Sequence, residues 1–135
     1  MDLSTHGIVS LVRNPEGKFL LLEDSREQMR GYWAPPHGRC ELSDLTEEAG
    51  VVRETFEETG LRVEPVKAVL TQPADTKVKT VSFWLVNLVD GELRVDPAES
   101  SSHGWFSIDE ALRLKLYPGT QKFFSQVVAG EIELV

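Results

Sequence analysis

The 135-residue sequence has a single cysteine, Cys40, so no disulfide can form within the chain. It lacks any apolar run near the ~20 residues that span a bilayer, and its first residues lack a secretion-signal pattern. Repeats, low-complexity stretches and linkers are missing too, so residues 1–135 are read as one domain. Basic residues are scarce: 14 Lys and Arg stand against 22 Asp and Glu, a net charge of −8. That balance argues against a polymeric nucleic acid, which proteins usually attract with basic patches. These absences point to a cytoplasmic protein with no membrane contact, a monomer or homodimer acting on a small molecule. An acidic protein can still take a small polyphosphate if metal ions neutralise the meeting of two anions.

What is present reads as interleaved strands and helices. His6–Arg13 is rich in β-branched and apolar residues, and Asn14-Pro15-Glu16-Gly17 supplies a turn into a strand over Lys18–Glu23. Ser25–Tyr32 reads as a surface loop. Over Leu45–Thr59 the period becomes helical, with Leu45, Ala49, Val52 and Phe56 forming an apolar stripe. Asp44 is the expected N-cap, paired with Glu47 in an acidic capping box, and Gly60 is the expected left-handed stop. Arg62–Leu70 and Lys77–Val89 are expected strands, and Asp90-Gly91 signals a hairpin returning through Glu92–Val95. His103–Phe106 should be extended. Ser107 with Glu110 opens a helix through about Leu114, Pro118 and Gly130 bracket a last helix, and Glu131–Val135 could close as an edge strand. The pattern implies an α/β protein with a mixed β-sheet between helices.

Chemistry concentrates in Gly38–Leu61. On a helix turning 100° per residue, Glu54, Glu57 and Glu58 fall within about 100° of one another. Three carboxylates in that sector repel one another, and ordinary helices disperse them or pair them with lysine. A divalent cation would turn the repulsion into attraction, and hard oxygen ligands suit Mg²⁺, with Mn²⁺ as the alternative. A solvated acidic face is the competing reading of the spacing alone. The full run Arg53-Glu54-Thr55-Phe56-Glu57-Glu58-Thr59-Gly60-Leu61 is harder to dismiss, because its five key residues would coincide by chance at about one start point in a million.

This segment resembles the Nudix box of the Nudix hydrolase superfamily: Gly, five residues, Glu, seven residues, then Arg-Glu-apolar-x-Glu-Glu-x-Gly-apolar. Here Asp44 stands at the first acidic position, eight residues separate it from Arg53, and Thr55 stands where an apolar residue is usual. A helix bulge near Gly50 is the expected way to absorb the extra residue. Trp33-Ala34-Pro35-Pro36-His37-Gly38-Arg39-Cys40-Glu41 is similar to the stretch that leads into the box.

The resemblance implies a Nudix-type α/β/α sandwich. It also implies Mg²⁺-dependent hydrolysis of a phosphoanhydride in a nucleoside diphosphate linked to another group. MutT-like nucleoside triphosphate pyrophosphatases and dinucleoside polyphosphate hydrolases are the nearest substrate classes. The alternative is a nucleotide-binding or regulatory domain of the same fold with weakened turnover. By resemblance Glu54, Glu57 and Glu58 hold metal, assisted by the Gly38 carbonyl and Glu41, with Glu99 a further metal or base glutamate. Glu54 is the first choice of general base and Glu99 the second, while Arg53 orients the glutamates. Arg26, His37, Arg39 and Lys79 are candidate phosphate contacts, and Tyr32 and Trp33 candidate stacking partners for a base. His6, His103 and Cys40 are read as structural.

Overall fold

The computed structural model describes residues 5–74 and 78–134. The elements are β1 (His6–Arg13), β2 (Phe19–Asp24), β3 (Trp33–Ala34), β4 (His37–Arg39), α1 (Glu47–Thr59), β5 (Leu61–Pro73), β6 (Thr80–Gly91), β7 (Ser100–Phe106), α2 (Ile108–Ala111) and α3 (Pro118–Val128). Among the described residues the strands form one mixed sheet in the order β3-β2-β1-β6-β5, with β4 added to β1 and β7 to β2. β1 and β6 run parallel from His6 opposite Thr80 to Arg13 opposite Asn87, and the other pairings are antiparallel.

The sheet is apolar on both faces, which explains the unbroken run Phe19-Leu20-Leu21-Leu22. Successive strand residues point to opposite sides. Ile8, Val12, Leu20, Leu22, Trp84 and Val86 pack with Val51 of α1. Leu11, Phe19, Leu21, Phe83 and Leu85 pack with Ala111 of α2 and with Phe123 and Phe124 of α3. The expected α/β/α sandwich is therefore observed. Phe83 belongs to this core, its ring stacked on Phe123 at 4.5 Å between centroids. No helix among the described residues is long and apolar enough to cross a membrane.

Four local expectations fail for physical reasons. Of the stripe Leu45–Ala49–Val52–Phe56, Val52 packs against the core, but Leu45 is 91% exposed and Phe56 47%. Instead α1 buries Val51, Thr55 and Thr59, one turn apart. The two threonines satisfy their hydroxyls inside, Thr55 donating to Ser10 Oγ at 2.8 Å and Thr59 to the Thr55 carbonyl at 2.6 Å.

Asp90-Gly91 does not start a hairpin. β6 stays paired with β5 up to Gly91 opposite Leu61. A Cβ on Gly91 would lie 2.5 Å from the Gly60 carbonyl oxygen, so this glycine serves a close backbone approach. The chain then runs irregularly to Pro97, with the Arg94 N–H donating to the Thr59 carbonyl at 2.8 Å.

The helix after Ser107 keeps its capping box but stops at Ala111. Residues 131–134 form no strand; Lys77 and Val135, at the ends of two expected strands, lie outside the described residues.

Phe123→Ala should cost about 3–5 kcal/mol, because a fully buried stacked ring leaves a cavity. Phe56→Ala should cost no more than about half of that, since its ring is largely solvated. Urea unfolding of both variants measures the difference, and equal losses would contradict this packing.

Candidate active site

The site starts from how α1 is tied to the loop before it. Thr46, not Asp44, caps the helix, its hydroxyl accepting from the Ala49 N–H at 3.1 Å. Gly60 ends it with φ 76°, donating to the Phe56 carbonyl. The α-helix is continuous from Glu47 to Thr59, so no bulge forms at Gly50.

Asp44 has another task. It accepts from the Glu41 N–H at 2.8 Å and takes a two-pronged ion pair from Arg53 Nε and Nη2, both at 2.9 Å. These bonds, led by Arg53, hold its carboxyl below the ordinary range. Arg53 Nη1 meanwhile donates to Glu54 at 3.1 Å and Glu57 at 2.7 Å and lies 3.4 Å from Glu41, while Nη2 also reaches the Arg39 carbonyl at 3.2 Å.

The glutamates of this helix turn also border a cavity of about 320 Å³. Glu54, Glu57 and Glu58 line it together with Glu99, Gly38 and His37. Gly38 lets the Glu54 carboxylate lie against the backbone, since a Cβ there would stand 2.1 Å from Glu54 Oε1 and displace that side chain. Burial first, then the charges of Glu54 and Glu99, push the Glu58 carboxyl up to about 8, although the His37 N–H donates to it at 3.2 Å. Burial likewise raises Glu54, against the pull of Arg53.

Among the described residues no three acidic or imidazole groups are gathered into a ready-made cage. The wall nevertheless offers carboxylate oxygens to a cation that keeps waters and ligand oxygens in its shell, as Mg²⁺ does. That donor chemistry, with a buried glutamate short of positive charge, fits a hard divalent ion.

Of the remaining sequence candidates, Arg26 also lines the cavity. His37 has its Nδ1 at 2.9 Å from the Pro35 carbonyl, and loss of hydration keeps its imidazole below the ordinary range, so it offers no fixed positive charge. Glu41, Arg39, Lys79, Tyr32 and Trp33 are not part of the lining. The Glu41 side chain is 57% exposed beside Arg53. Arg39 and Lys79 are exposed. Trp33 packs edge-on against Phe106 in the core at 5.4 Å. Tyr32 stands edge-on to Tyr117 at 6.2 Å, with Lys115 Nζ 4.2 Å from its ring centre.

Sequence reasoning missed Asp24, Ser100 and Tyr117, all on the cavity wall. Arg26 Nε and Nη2 donate to Asp24 at 3.0 and 2.8 Å, and the Tyr117 hydroxyl donates to the same carboxylate. Burial opposes the charge on Asp24, yet these partners hold its pKa down at about 2. The one hint in the sequence is an acidic residue ending an otherwise buried apolar strand.

A NUDIX domain model matches residues 4–127. The NAD-capped RNA hydrolase NudC of Klebsiella pneumoniae is 31% identical over 101 residues, covering 75% of this chain and 38% of that protein. The chain thus spans well under half the length of this curated relative. A MutT NUDIX hydrolase from Burkholderia pseudomallei superposes with a TM-score of 0.77 at 25% identity, covering 91% of this chain and 97% of that one. An Ap4A hydrolase from C. elegans gives 0.71 at 20% identity over 93% and 97%, a likeness of fold alone.

Because Glu58 is raised when folded, its neutral form favours the fold. That stability is complete below the ordinary value near 4.5 and is lost as pH rises through about 8. In EDTA, the Tm of the protein should therefore fall between pH 5 and 8, and Glu58→Gln should flatten the fall. A Tm that rises across this range in the wild type would contradict the assigned environment.

Proposed function

The chain belongs to the NUDIX family, and from that premise we propose that it is a Mg²⁺-dependent pyrophosphohydrolase. Its substrate class would be a nucleoside diphosphate linked to a further group, with nucleoside triphosphates and dinucleoside polyphosphates the first candidates. One observation carries the reading: Glu54, Glu57, Glu58 and Glu99 share a single cavity with the Gly38 backbone pressed against Glu54. The names of the relatives agree in chemistry, since NAD and Ap4A are both nucleoside diphosphates bearing another group.

Glu54, Glu57 and Glu58 would hold the ion with the Gly38 carbonyl, and Glu99 would add a fourth carboxylate from the facing wall. When bound, a divalent ion supplies neutralisation of phosphate oxygens and a more acidic water. Arg53 keeps Glu54 and Glu57 in place through its direct bonds to both carboxylates. Glu54, raised by burial and half-shielded by Gly38, is the first choice to accept the proton of the attacking water, and Glu99 the second. Asp44 is shorter than the glutamate of the family pattern but still reaches Arg53, so the loop and the helix stay joined.

The test is product analysis in ¹⁸O-labelled water with Mg²⁺ or Mn²⁺. The panel spans nucleoside triphosphates and their oxidised forms, dinucleoside polyphosphates, NAD, ADP-ribose and nucleotide sugars. Metal-dependent cleavage of at least one is expected, and the label identifies the attacked phosphorus. Glu57→Gln and Glu58→Gln should each lower turnover by about 100-fold or more with the fold intact. Near-normal turnover in both, or no cleavage across the panel, would refute the assignment.

A further inference from the structure

The wall of the cavity facing away from α1 brings together two stretches of chain far apart in sequence. Asp24 ends β2, Arg26 lies two residues on in the following loop, and Tyr117 precedes α3. The ladder between β2 and β7 shifts register between Glu23 and Asp24. A local irregularity of this kind re-aims a side chain beside a site. Both residues line the cavity, Asp24 with its side chain only 5% exposed and Arg26 with its side chain 56% exposed. The loop carrying Arg26 is pinned at its base, where the Asp24 N–H donates to the Tyr32 carbonyl at 2.8 Å and the Gly31 N–H to the Asp24 carbonyl at 2.9 Å. The Ser25 N–H donates to the Glu99 carbonyl at 3.0 Å, so this wall is tied to the segment that carries Glu99.

Stability does not explain the arrangement. A pair with one exposed partner contributes little, whereas burying a carboxylate at the end of an apolar strand is costly. Its effect is geometric. Two nitrogens of the guanidinium are committed to Asp24, and Nη1 has no protein partner among the described residues. Arg26 is also the only arginine or lysine among the described residues lining a cavity that holds four glutamates. A fixed guanidinium with free donors recognises phosphate oxygens without ordering a side chain on binding.

We propose that Asp24 and Tyr117 are positioning residues that hold Arg26 across the cavity from the glutamate helix, where it grips the phosphate of the bound nucleotide farthest from those glutamates. This rests on the nucleotide reading above but concerns a different wall of the site. Arg26 selects a substrate whose phosphate chain reaches past the glutamates; Asp24 and Tyr117 act only through it.

The probe is ADP, titrated calorimetrically in Mg²⁺ into wild type, Arg26→Ala, Arg26→Lys, Tyr117→Phe and Asp24→Asn, with kcat and KM for whichever panel substrate is cleaved. Arg26→Ala should weaken ADP binding by about 10- to 100-fold, and the kinetic loss should fall on KM rather than kcat. Arg26→Lys should recover only part of the affinity, since an ammonium cannot use the two-pronged seat on Asp24. Tyr117→Phe keeps the ring and should weaken binding by a smaller factor, which covers the case in which Asp24→Asn fails to fold. ADP binding within twofold of wild type in Arg26→Ala, or no ADP binding by the wild type, would overturn the proposal. ADP binding that depends on Arg26 in a protein that cleaves nothing would support this proposal while the hydrolase reading fails.

Discussion

The guanidinium of Arg53 is the joint on which the glutamate wall depends. With Nε and Nη2 on Asp44 it fastens the loop after β4 to α1, and with Nη1 it draws Glu54 and Glu57 to one side of the helix. Asp44 in turn accepts from the Glu41 N–H, so a single cation organises both the loop backbone and the helix carboxylates. Glu58 is left out of this balance, so no Arg53 bond offsets the burial and the Glu54 charge that raise it. The site therefore combines charges already neutralised by protein with one that waits for a positive partner from outside.

Much of this was legible in the residues, and the failures share a cause. The run from Arg53 to Leu61 identified the glutamates, the left-handed stop and the helix itself, because each needs a particular residue type at a particular place. The buried face of α1 was misread since hydropathy alone favours Leu45 and Phe56 over Thr55 and Thr59. The threonines win because their hydroxyls find acceptors inside, at Ser10 and at the preceding turn. Asp90-Gly91 misled for a similar reason: glycine there serves contact with Gly60, a neighbour in space that sequence spacing does not reveal.

The Asp24–Arg26–Tyr117 wall was partly hidden for a different reason. Arg26 was named as a phosphate contact, but the acid that seats it carries no motif. Tyr117 meets Asp24 across a sequence separation of 93 residues, brought there by the fold alone. Glutamates that are local in sequence on one wall face partners gathered from afar on the other. A motif reports the first kind of wall far better than the second.

The parallel pairing of β1 with β6 has a consequence for biogenesis. Each residue of β1 meets one 74 positions later, as with Arg13 and Asn87. During synthesis the first strand can form its hairpin with β2 early, but its other edge has no partner until Thr80–Asn87 has emerged. Ile8, Leu11 and Val12, which end in the middle of the sheet, therefore stay on an unpaired apolar edge until β6 is made. A ribosome-bound chain halted before Thr80 would carry the glutamate helix and still lack the complete sheet that holds it.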